Sequence, residues 1–382
     1  MGQATGTPGV AVVVSSGNLQ REVRKIDNVV AFVLTSTVHI GLIKEVFSLA
    51  DAVAKGYTLA AAPQVYRTLE LFYAELGGSQ KVYVMGVEDT MTLTQMATST
   101  NENGIKKLLQ AKRDITHVVI DRLPAEAYDP GEGFLDTDVP ATVLASKALI
   151  TYQRTINRPF RLIIAGKVND LEAELYEPNT ADNTGAMVVL GNDSADTSFA
   201  ALVAARTVKF GAHVKVGDGL NGPLTVAEAF IGEKPIEEFF PVQLDEFANA
   251  GFCIVHEREG SAGYYFARDN MAGNDDFRIL VHGSLIDKAQ RIASAVNTPF
   301  LESSVRMTAE GKINEADAKY LEEVTKQALL AQMNGQVSDV DVIVPTDQNL
   351  IETPVLTEIV KILPLGYLTW ITIELGLTSN LN

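Results

Sequence analysis

Residues 241–299 read PVQLDEFANAGFCIVHEREGSAGYYFARDNMAGNDDFRILVHGSLIDKAQRIASAVNTP, and they carry the tightest succession of structural signals in the chain. Gly251 ends a short polar helix, and residues 252–255 have the length and apolar character of a buried strand. A turn follows at 259–263, because glycine tolerates backbone angles that other residues avoid. The chain then returns as an aromatic strand over 263–267.

A third strand over 277–281 and a helix from Ser284 complete this unit. In the helix, apolar residues recur on one face, and charged and amide side chains fill the other. The apolar positions are Leu285, Ile286, Ala289, Ile292, Ala293 and Val296. The stretch has neither a nucleophile beside a base nor acids and histidines at ligand spacing, so we interpret it as a scaffold.

The composition is that of a globular protein, and it narrows the classes of partner. The chain has 382 residues, and a chain of this length normally forms more than one domain. Its formal net charge of -17 argues against nucleic acid, because binding to phosphates depends on cationic side chains. No apolar run reaches the roughly 18 to 20 residues that cross a bilayer, and no basic region precedes the first one. We therefore expect no membrane insertion and no secretory signal.

The chain divides into four predicted parts. Residues 1–25 could not bury a core alone, and we predict an N-terminal arm with a strand-like run at Val10 to Val14. Strands and helices alternate over 26–240, which predicts an α/β region. We predict a C-terminal mixed-sheet core domain over 241–365 and an exchange strand over 366–382. The fold class is thus α/β (α+β) with extended arms at both ends.

The periodicity also predicts individual elements outside the opening stretch. Strands are predicted at 29–35, 82–87, 117–120, 162–165, 187–190, 214–216, 341–344, 355–363 and 367–377. Helices are predicted at 43–54, 60–76, 141–153, 199–208 and 314–333.

The hexapeptide GDGLNG at 217–222 matches the dinucleotide-binding fingerprint G-x-G-x-x-G and follows a predicted strand. In that fingerprint a helix starts inside the motif, and its amides face the pyrophosphate. Here Pro223 follows the third glycine at once, so no helix can run through that point. We interpret the hexapeptide as a turn, and a nucleotide-binding α/β enzyme that uses Gly217 to Gly222 stays as an alternative.

Other candidates for chemistry have simpler structural interpretations. None of the five histidines has a second histidine or cysteine at ligand spacing, and the acids of 129–138 and 269–276 do not follow the calcium-loop pattern. The single cysteine, Cys253, lies in an apolar strand and is interpreted as a small buried hydrophobe. We predict no catalytic residue, no metal and no cofactor.

A series of short motifs runs through the first 90 residues. Residues 8–10 read PGV, and 30–33 read VAFV. A helix containing Phe72-Tyr73, the pair Gly77-Gly78 and a strand at 82–84 (VYV) follow. In this order the motifs resemble the contractile tail sheath proteins of bacteriophages and related injection machines, which open with proline-glycine-valine and a first core strand and continue with a helix, a double glycine and a strand.

The opening stretch carries the most telling part of this resemblance. Residues 250–255 (AGFCIV), Ala267-Arg268 and 277–279 (FRI) are similar to the family's central strand, its alanine-arginine and its aromatic-arginine strand before a long helix. A helix closing at Asn334-Gly335 and the strands after it match in order and spacing. His282-Gly283 departs from the family, which usually has paired arginines there.

The resemblance implies a homo-oligomer, a helical sheath of stacked rings around an inner tail tube protein, with baseplate and terminator proteins as further partners. It implies a virion tail or injection-machine sheath that is assembled in a bacterial cytoplasm, with 26–240 outermost. Strands exchanged between subunits would keep their main-chain hydrogen bonds while the subunit bodies rotate in contraction. The residues predicted for these strands are Val10, Val12, Val14, Trp370, Ile371, Ile373 and Leu375.

Lys312, Lys319 and Lys326 stand out as cations in an acidic chain, on or near the helix at 314–333. We hypothesise that they face acidic groups on the tube. A non-contractile shell protein that polymerises by strand exchange is a further alternative to the contractile sheath.

Overall fold

The fold is given by a computed structural model, which describes residues 28–369 and Thr372. Within these residues the strands are β1 (Val30–Thr35), β2 (Ile43–Val46), β3 (Val82–Val87), β4 (His117–Asp121), β5 (Arg161–Ala165), β6 (Ala186–Leu190), β7 (Phe230–Ile231), β8 (Lys234–Pro235), β9 (Cys253–Arg258), β10 (Ser261–Ala267), β11 (Val337–Ile343) and β12 (Ile359–Pro364). The α-helices are α1 (Leu49–Ala54), α2 (Pro63–Leu76), α3 (Leu93–Ala97), α4 (Ile105–Ala111), α5 (Asp138–Thr155), α6 (Ala200–Lys209), α7 (Pro241–Ala250), α8 (Leu280–Asn297) and α9 (Glu315–Gln332).

One eight-stranded mixed sheet forms the centre of the molecule, in the order β10-β9-β6-β5-β4-β1-β3-β2. The six inner strands, β9, β6, β5, β4, β1 and β3, run parallel to one another. The edge strands are antiparallel to their neighbours, β2 to β3 and β10 to β9. Every residue of β1, β3, β4, β5 and β6 is buried. Parallel strands covered on both faces require such continuous apolar runs, which explains why the sequence predicted them well.

Helices supply the cover of this sheet. The helices α2 and α6 pack on each other and contact the central strands, while α5 contacts β5 and β6 and packs on α3. The mixed α/β architecture confirms the predicted fold class. The strands β9 and β10 follow residue 240 but lie in the same sheet as β1 to β6. The division of the chain into domains stays a prediction.

A smaller unit lies C-terminal to the sheet. The strands β11 and β12 pair with each other in antiparallel register, α9 packs against β11, and α8 packs against α9. Their buried contacts form an apolar cluster of Leu285, Ala289, Ile292, Leu329, Met333, Val340 and Val342.

Three predicted elements are wrong, each for a local reason. The strand at 277–281 does not form, because Ile279 makes a single bridge to Asn270 and α8 already begins at Leu280. The helix at 43–54 is split into β2 and α1, because the Ser48 side chain accepts the Asp51 amide and caps the helix start.

The predicted strand at 214–216 is also wrong. This segment is a turn in which the Asp218 amide donates to the Lys215 carbonyl. The strand predicted over 355–363 is shorter, since β12 begins at Ile359. Of the strand predicted at 367–377, residues 367–369 and Thr372 are described, and they are not in a strand.

Candidate assembly surfaces

The residues predicted for strand exchange lie outside the described part of the chain. This holds for Val10, Val12 and Val14 and for Trp370, Ile371, Ile373 and Leu375. Their role stays a prediction. What the structure does describe is the unit beside which the C-terminal segment starts.

The two-stranded sheet β11–β12 has one face in the core and one in solvent. Val340 and Val342 are buried on the inner face, where Val360 and Ile362 pack on the same cluster. On the outer face Ile359 and Leu363 are 42% and 60% exposed. Within the described residues each strand pairs only with the other, so each keeps one edge without a strand partner. Such an edge is a template for a further strand.

The Asn297 side chain connects the end of α8 to α9 and to the residue before β12. The Asn297 amide, at the end of α8, donates to the Thr325 hydroxyl of α9 over 3.1 Å. It also donates to Glu358, directly before β12, over 2.7 Å. Burial raises the pKa of the Glu358 carboxyl above its ordinary value. The open sheet is therefore supported by fixed helices.

A buried ion pair joins α8 to the central sheet. The Arg161 guanidinium, at the start of β5, donates to both carboxylate oxygens of Asp287 over 2.6 and 2.7 Å. It also donates to the carbonyls of Thr184 and Gly283, both over 2.7 Å. Arg161 is fully buried. Removing one partner of such a pair typically costs about 3 to 5 kcal/mol, so this joint is strong.

The C-terminal segment is anchored at Tyr367 before it leaves the described part. The Tyr367 hydroxyl donates to the His213 carbonyl over 2.7 Å, and the Lys215 ammonium lies 5.4 Å from the centre of its ring. Lys215 is in turn 3.4 Å from the buried Asp269 carboxylate. Burial, together with the Asp269 charge, raises the pKa of Tyr367 to about 12.

The three lysines predicted to face the tube have partners within the subunit. Their Nζ atoms lie 3.5 Å from Glu310 for Lys312, 2.6 Å from Glu322 for Lys319 and 3.5 Å from Asp341 for Lys326. The hydrogen bond to Glu322 raises the pKa of Lys319. The pairs of Lys312 and Lys326 are on the surface, where such pairs are worth little. Glu322 is buried and also accepts a hydrogen bond from the Val344 amide. The tube-facing hypothesis stays a prediction.

The usual ligand crevice of an open α/β sheet lies at the carboxyl ends of β1 and β4, where the strand order reverses. Here the buried Asp121 at the end of β4 accepts a hydrogen bond from Gln64, and the Lys167 ammonium lies 3.6 Å from it. Lys167 also pairs with Asp196 over 3.1 Å. Burial raises the pKa of the Asp121 carboxyl. These groups satisfy one another.

The hexapeptide 217–222 is held as a structural turn. Its amides are used internally, since Leu220 donates to the Asp218 carboxylate and Gly222 to the Gly219 carbonyl. The buried Arg206 donates to the Gly222 carbonyl over 2.9 Å. A Cβ at Gly217 would lie 2.2 Å from the Phe266 carbonyl oxygen, which explains that glycine. The nucleotide alternative gains no support from this geometry.

The remaining candidates for chemistry are buried or dispersed. Among the described residues no group of three or more His, Cys, Asp or Glu is placed to hold a metal ion. Cys253 is buried, and burial raises the pKa of its thiol well above the ordinary value. In the same part of the chain, no helix has both the length and the apolar character to cross a membrane.

Sequence reasoning missed the buried arginines Arg161 and Arg206. A weak signal existed for Arg206, which follows Phe199, Leu202 and Val203 at helical spacing in the predicted helix 199–208. Arg161 directly precedes the predicted strand at 162–165, so its burial had no such signal. Their carboxylate partners are 126 and 131 residues away in sequence, so no local pattern could reveal them.

The chain is similar in fold to several solved structures. No protein-family model and no curated protein matches the chain. A chain from the anti-feeding prophage baseplate, in its 6-fold symmetrised structure, is 15% identical with a TM-score of 0.64, over 98% of this chain and 100% of that one. A chain of the anti-feeding prophage helical sheath in the contracted state is 16% identical with a TM-score of 0.61, over 99% and 100%.

A sheath tail protein from Desulfitobacterium hafniense is similar over 94% of this chain and 100% of its own. It is 10% identical, with a TM-score of 0.52. The chain therefore has the fold of contractile sheath proteins over nearly its whole length. The resemblance drawn from the sequence is confirmed at the level of the fold.

Proposed function

We propose that this chain, which shares the fold of the contractile sheath proteins, is a structural sheath subunit that polymerises around an inner tube and contracts to drive it through an envelope. The observation that carries the proposal is the sheet β11–β12, which rests on a buried cluster and which, among residues 28–369, has no further strand at either of its two edges. Adding a strand at such an edge gains main-chain hydrogen bonds.

The added strands would come from the N-terminal and C-terminal segments of neighbouring subunits. Such links keep the subunits connected while their bodies rotate, so contraction becomes a passage from a trapped extended state to a more stable compact one. The inner tube, baseplate and terminator proteins are the partners in this proposal. The location is a phage tail or an injection machine assembled in a bacterial cytoplasm. Lys312, Lys319 and Lys326 are retained as candidate tube contacts, which Lys→Glu replacements test by assembly on the tube.

Electron microscopy of the purified chain tests the proposal. We expect hollow striated cylinders. Deleting 1–15 or 366–382 should leave folded subunits, as judged by circular dichroism, that no longer polymerise. Unchanged polymerisation after both deletions would contradict strand exchange. Flat lattices would favour the non-contractile shell, and monomers that bind a dinucleotide through 217–222 would favour the enzyme.

A second candidate is a subunit of a single ring at a baseplate. The similarity in fold to a chain of the anti-feeding prophage baseplate favours it. The same micrographs separate the two candidates, since long cylinders support the sheath and isolated rings support the baseplate.

A further inference from the structure

A cationic groove lies beside the anchor of the C-terminal segment. It is bounded by the residues after β10, the first turn of α8 and residues 364–369. Lys215, Arg268 and Arg278 line it, and we call these three residues the basic groove. Among the described lining residues there is no Asp or Glu, although the chain as a whole has a net charge of -17. A local concentration of cations in such a chain requires an explanation.

The two arginines of the groove are available to a partner. Arg268 and Arg278 are both exposed, and neither guanidinium makes an ion pair or a hydrogen bond among the described residues. Lys215, in contrast, is paired with Asp269 beneath them. Guanidinium groups bind carboxylates through paired hydrogen bonds, so carboxylates are the groups that this groove fits.

A matching acidic surface lies on the loops that follow β4 and β5. Its exposed acids are Glu126, Asp129, Glu132, Asp170 and Glu172, which we call the acidic knob. None of them is in an ion pair within the described part of the chain. No Lys, Arg or His occurs between residues 123 and 146. The two loops are fixed to each other, because the Asn169 amide donates to the carbonyls of Gly131 and Gly133 over 2.8 and 3.2 Å.

The groove and the knob are separate surfaces of one subunit. The knob follows the carboxyl ends of β4 and β5. Arg268 follows Ala267, which pairs with Ile254, and Ile254 pairs with Leu190 at the end of β6. Three strand spacings of about 4.8 Å each, roughly 14 Å in all, lie between β5 and β10 across the sheet. Among the described residues no ion pair or hydrogen bond joins the groove arginines to the acids of the knob, so both surfaces are available for contacts between subunits.

We propose that the basic groove of one subunit binds the acidic knob of a second copy of this chain. The inference rests on the proposed function and adds a contact that is independent of strand exchange. It is a head-to-tail contact, and contacts of this kind build rings or helices rather than closed dimers. Copies of an acidic chain repel one another overall, so a local pairing of opposite charges fixes their register.

Two charge-reversed full-length chains test the contact. The groove-reversed chain carries Arg268→Glu and Arg278→Glu, and the knob-reversed chain carries Glu126→Lys, Glu132→Lys and Glu172→Lys. Asp129 and Asp170 stay, because their carboxylates accept amides within the two loops. Each variant alone should associate at least about tenfold more weakly than the unchanged chain. A 1:1 mixture should recover association, because reversed grooves then meet reversed knobs.

A matched control keeps the test specific. The change Lys44→Glu with Lys107→Glu, at the far edge of the sheet, alters the net charge as much as the groove reversal does and should leave association unchanged. Circular dichroism checks that each variant folds. Unchanged association of both reversed chains, or a mixture that does not recover, would overturn the proposal.

Two readouts separate this inference from the sheath function itself. Sedimentation velocity measures pairing of the two variants, and electron microscopy shows cylinders. Recovered pairing without cylinders from the unchanged chain would support the contact and count against the sheath. Cylinders from the unchanged chain, with no recovery in the mixture, would overturn the contact alone.

Discussion

Two buried arginines restrict which side chains the neighbouring positions can carry. Arg161 and Arg206 are the largest fully buried side chains in the described residues. Each is neutralised by one carboxylate, Asp287 for the first and Glu75 for the second, over 2.6 and 2.7 Å. A buried cation without such a partner would cost several kcal/mol. The residues around them are therefore constrained by charge as much as by shape.

Gly283 should not tolerate a side chain. A Cβ there would lie 2.4 Å from the Arg161 Cζ, and Arg161 is held by four hydrogen bonds. We expect Gly283→Ala to lower the free energy of unfolding by about 2 kcal/mol or more. Urea unfolding measures it. The matched control is Gly78→Ala, where nothing lies within 4 Å of the added Cβ, and a similar loss in both variants would contradict the argument.

His256 should make the fold sensitive to mild acid. Burial, with the nearby Arg258 charge, lowers the pKa of His256 from 6.5 to about 4. Between those values the unfolded chain binds a proton that the folded chain does not, so stability is lost as pH falls from 6.5 toward 4. Allowing for partial exposure, we expect His256→Gln to remove about 1 kcal/mol of the loss between pH 7 and pH 5. Equal losses in urea unfolding of both chains would refute this.

At the scale of elements, strands are predicted most accurately from the sequence where both faces of the sheet are covered. The continuous apolar runs of β1, β3 and β6 leave no other interpretation. Prediction failed at 277–281, where a run of strand-like residues is short enough for α8 to begin inside it. The basic groove could not be predicted, because Lys215 and Arg268 are brought together only by the fold.

The outer face of β12 should matter for assembly and little for folding. We expect Ile359→Asp with Leu363→Asp to leave thermal unfolding nearly unchanged, because both side chains are exposed. The same variant should polymerise poorly, since charges disfavour strand addition at an edge. Pelleting assays measure the polymer.

Val360→Asp is the contrasting variant on the inner face. Val360 packs on the apolar cluster beneath the sheet, so a carboxylate there should destabilise the subunit by about 1 to 3 kcal/mol. If the outer-face variant lost as much stability as this one, the assignment of faces would be wrong.

At the scale of the whole molecule, the central sheet uses strands from both sides of residue 240. Phe134 precedes residue 240, and its ring centre lies 5.3 Å from that of Phe247 and 6.0 Å from that of Phe252, which both follow residue 240. The strand β9 covers the edge of β6. The sheet is therefore complete only with both parts of the chain.

A fragment of residues 26–240 should fail to fold on its own. It would lose the ring contacts of Phe134 and would leave β6 as an exposed edge, which favours aggregation. We expect no cooperative urea transition and sedimentation as aggregates, while the full chain unfolds cooperatively. A monomeric fragment with a sharp transition would contradict this and support a domain boundary at 240.

The close approach of Arg161 to Gly283 also has an evolutionary consequence. A side chain at 283 is harmful while the guanidinium is present, but it becomes acceptable once residue 161 is small and uncharged and residue 287 is neutral. The effect of a substitution at one of these positions therefore depends on the residues at the other two. A side chain at 283 destabilises the protein as a single change but not when all three positions change, which is sign epistasis. Lineages that carry this fold would be expected to change these three positions together or not at all.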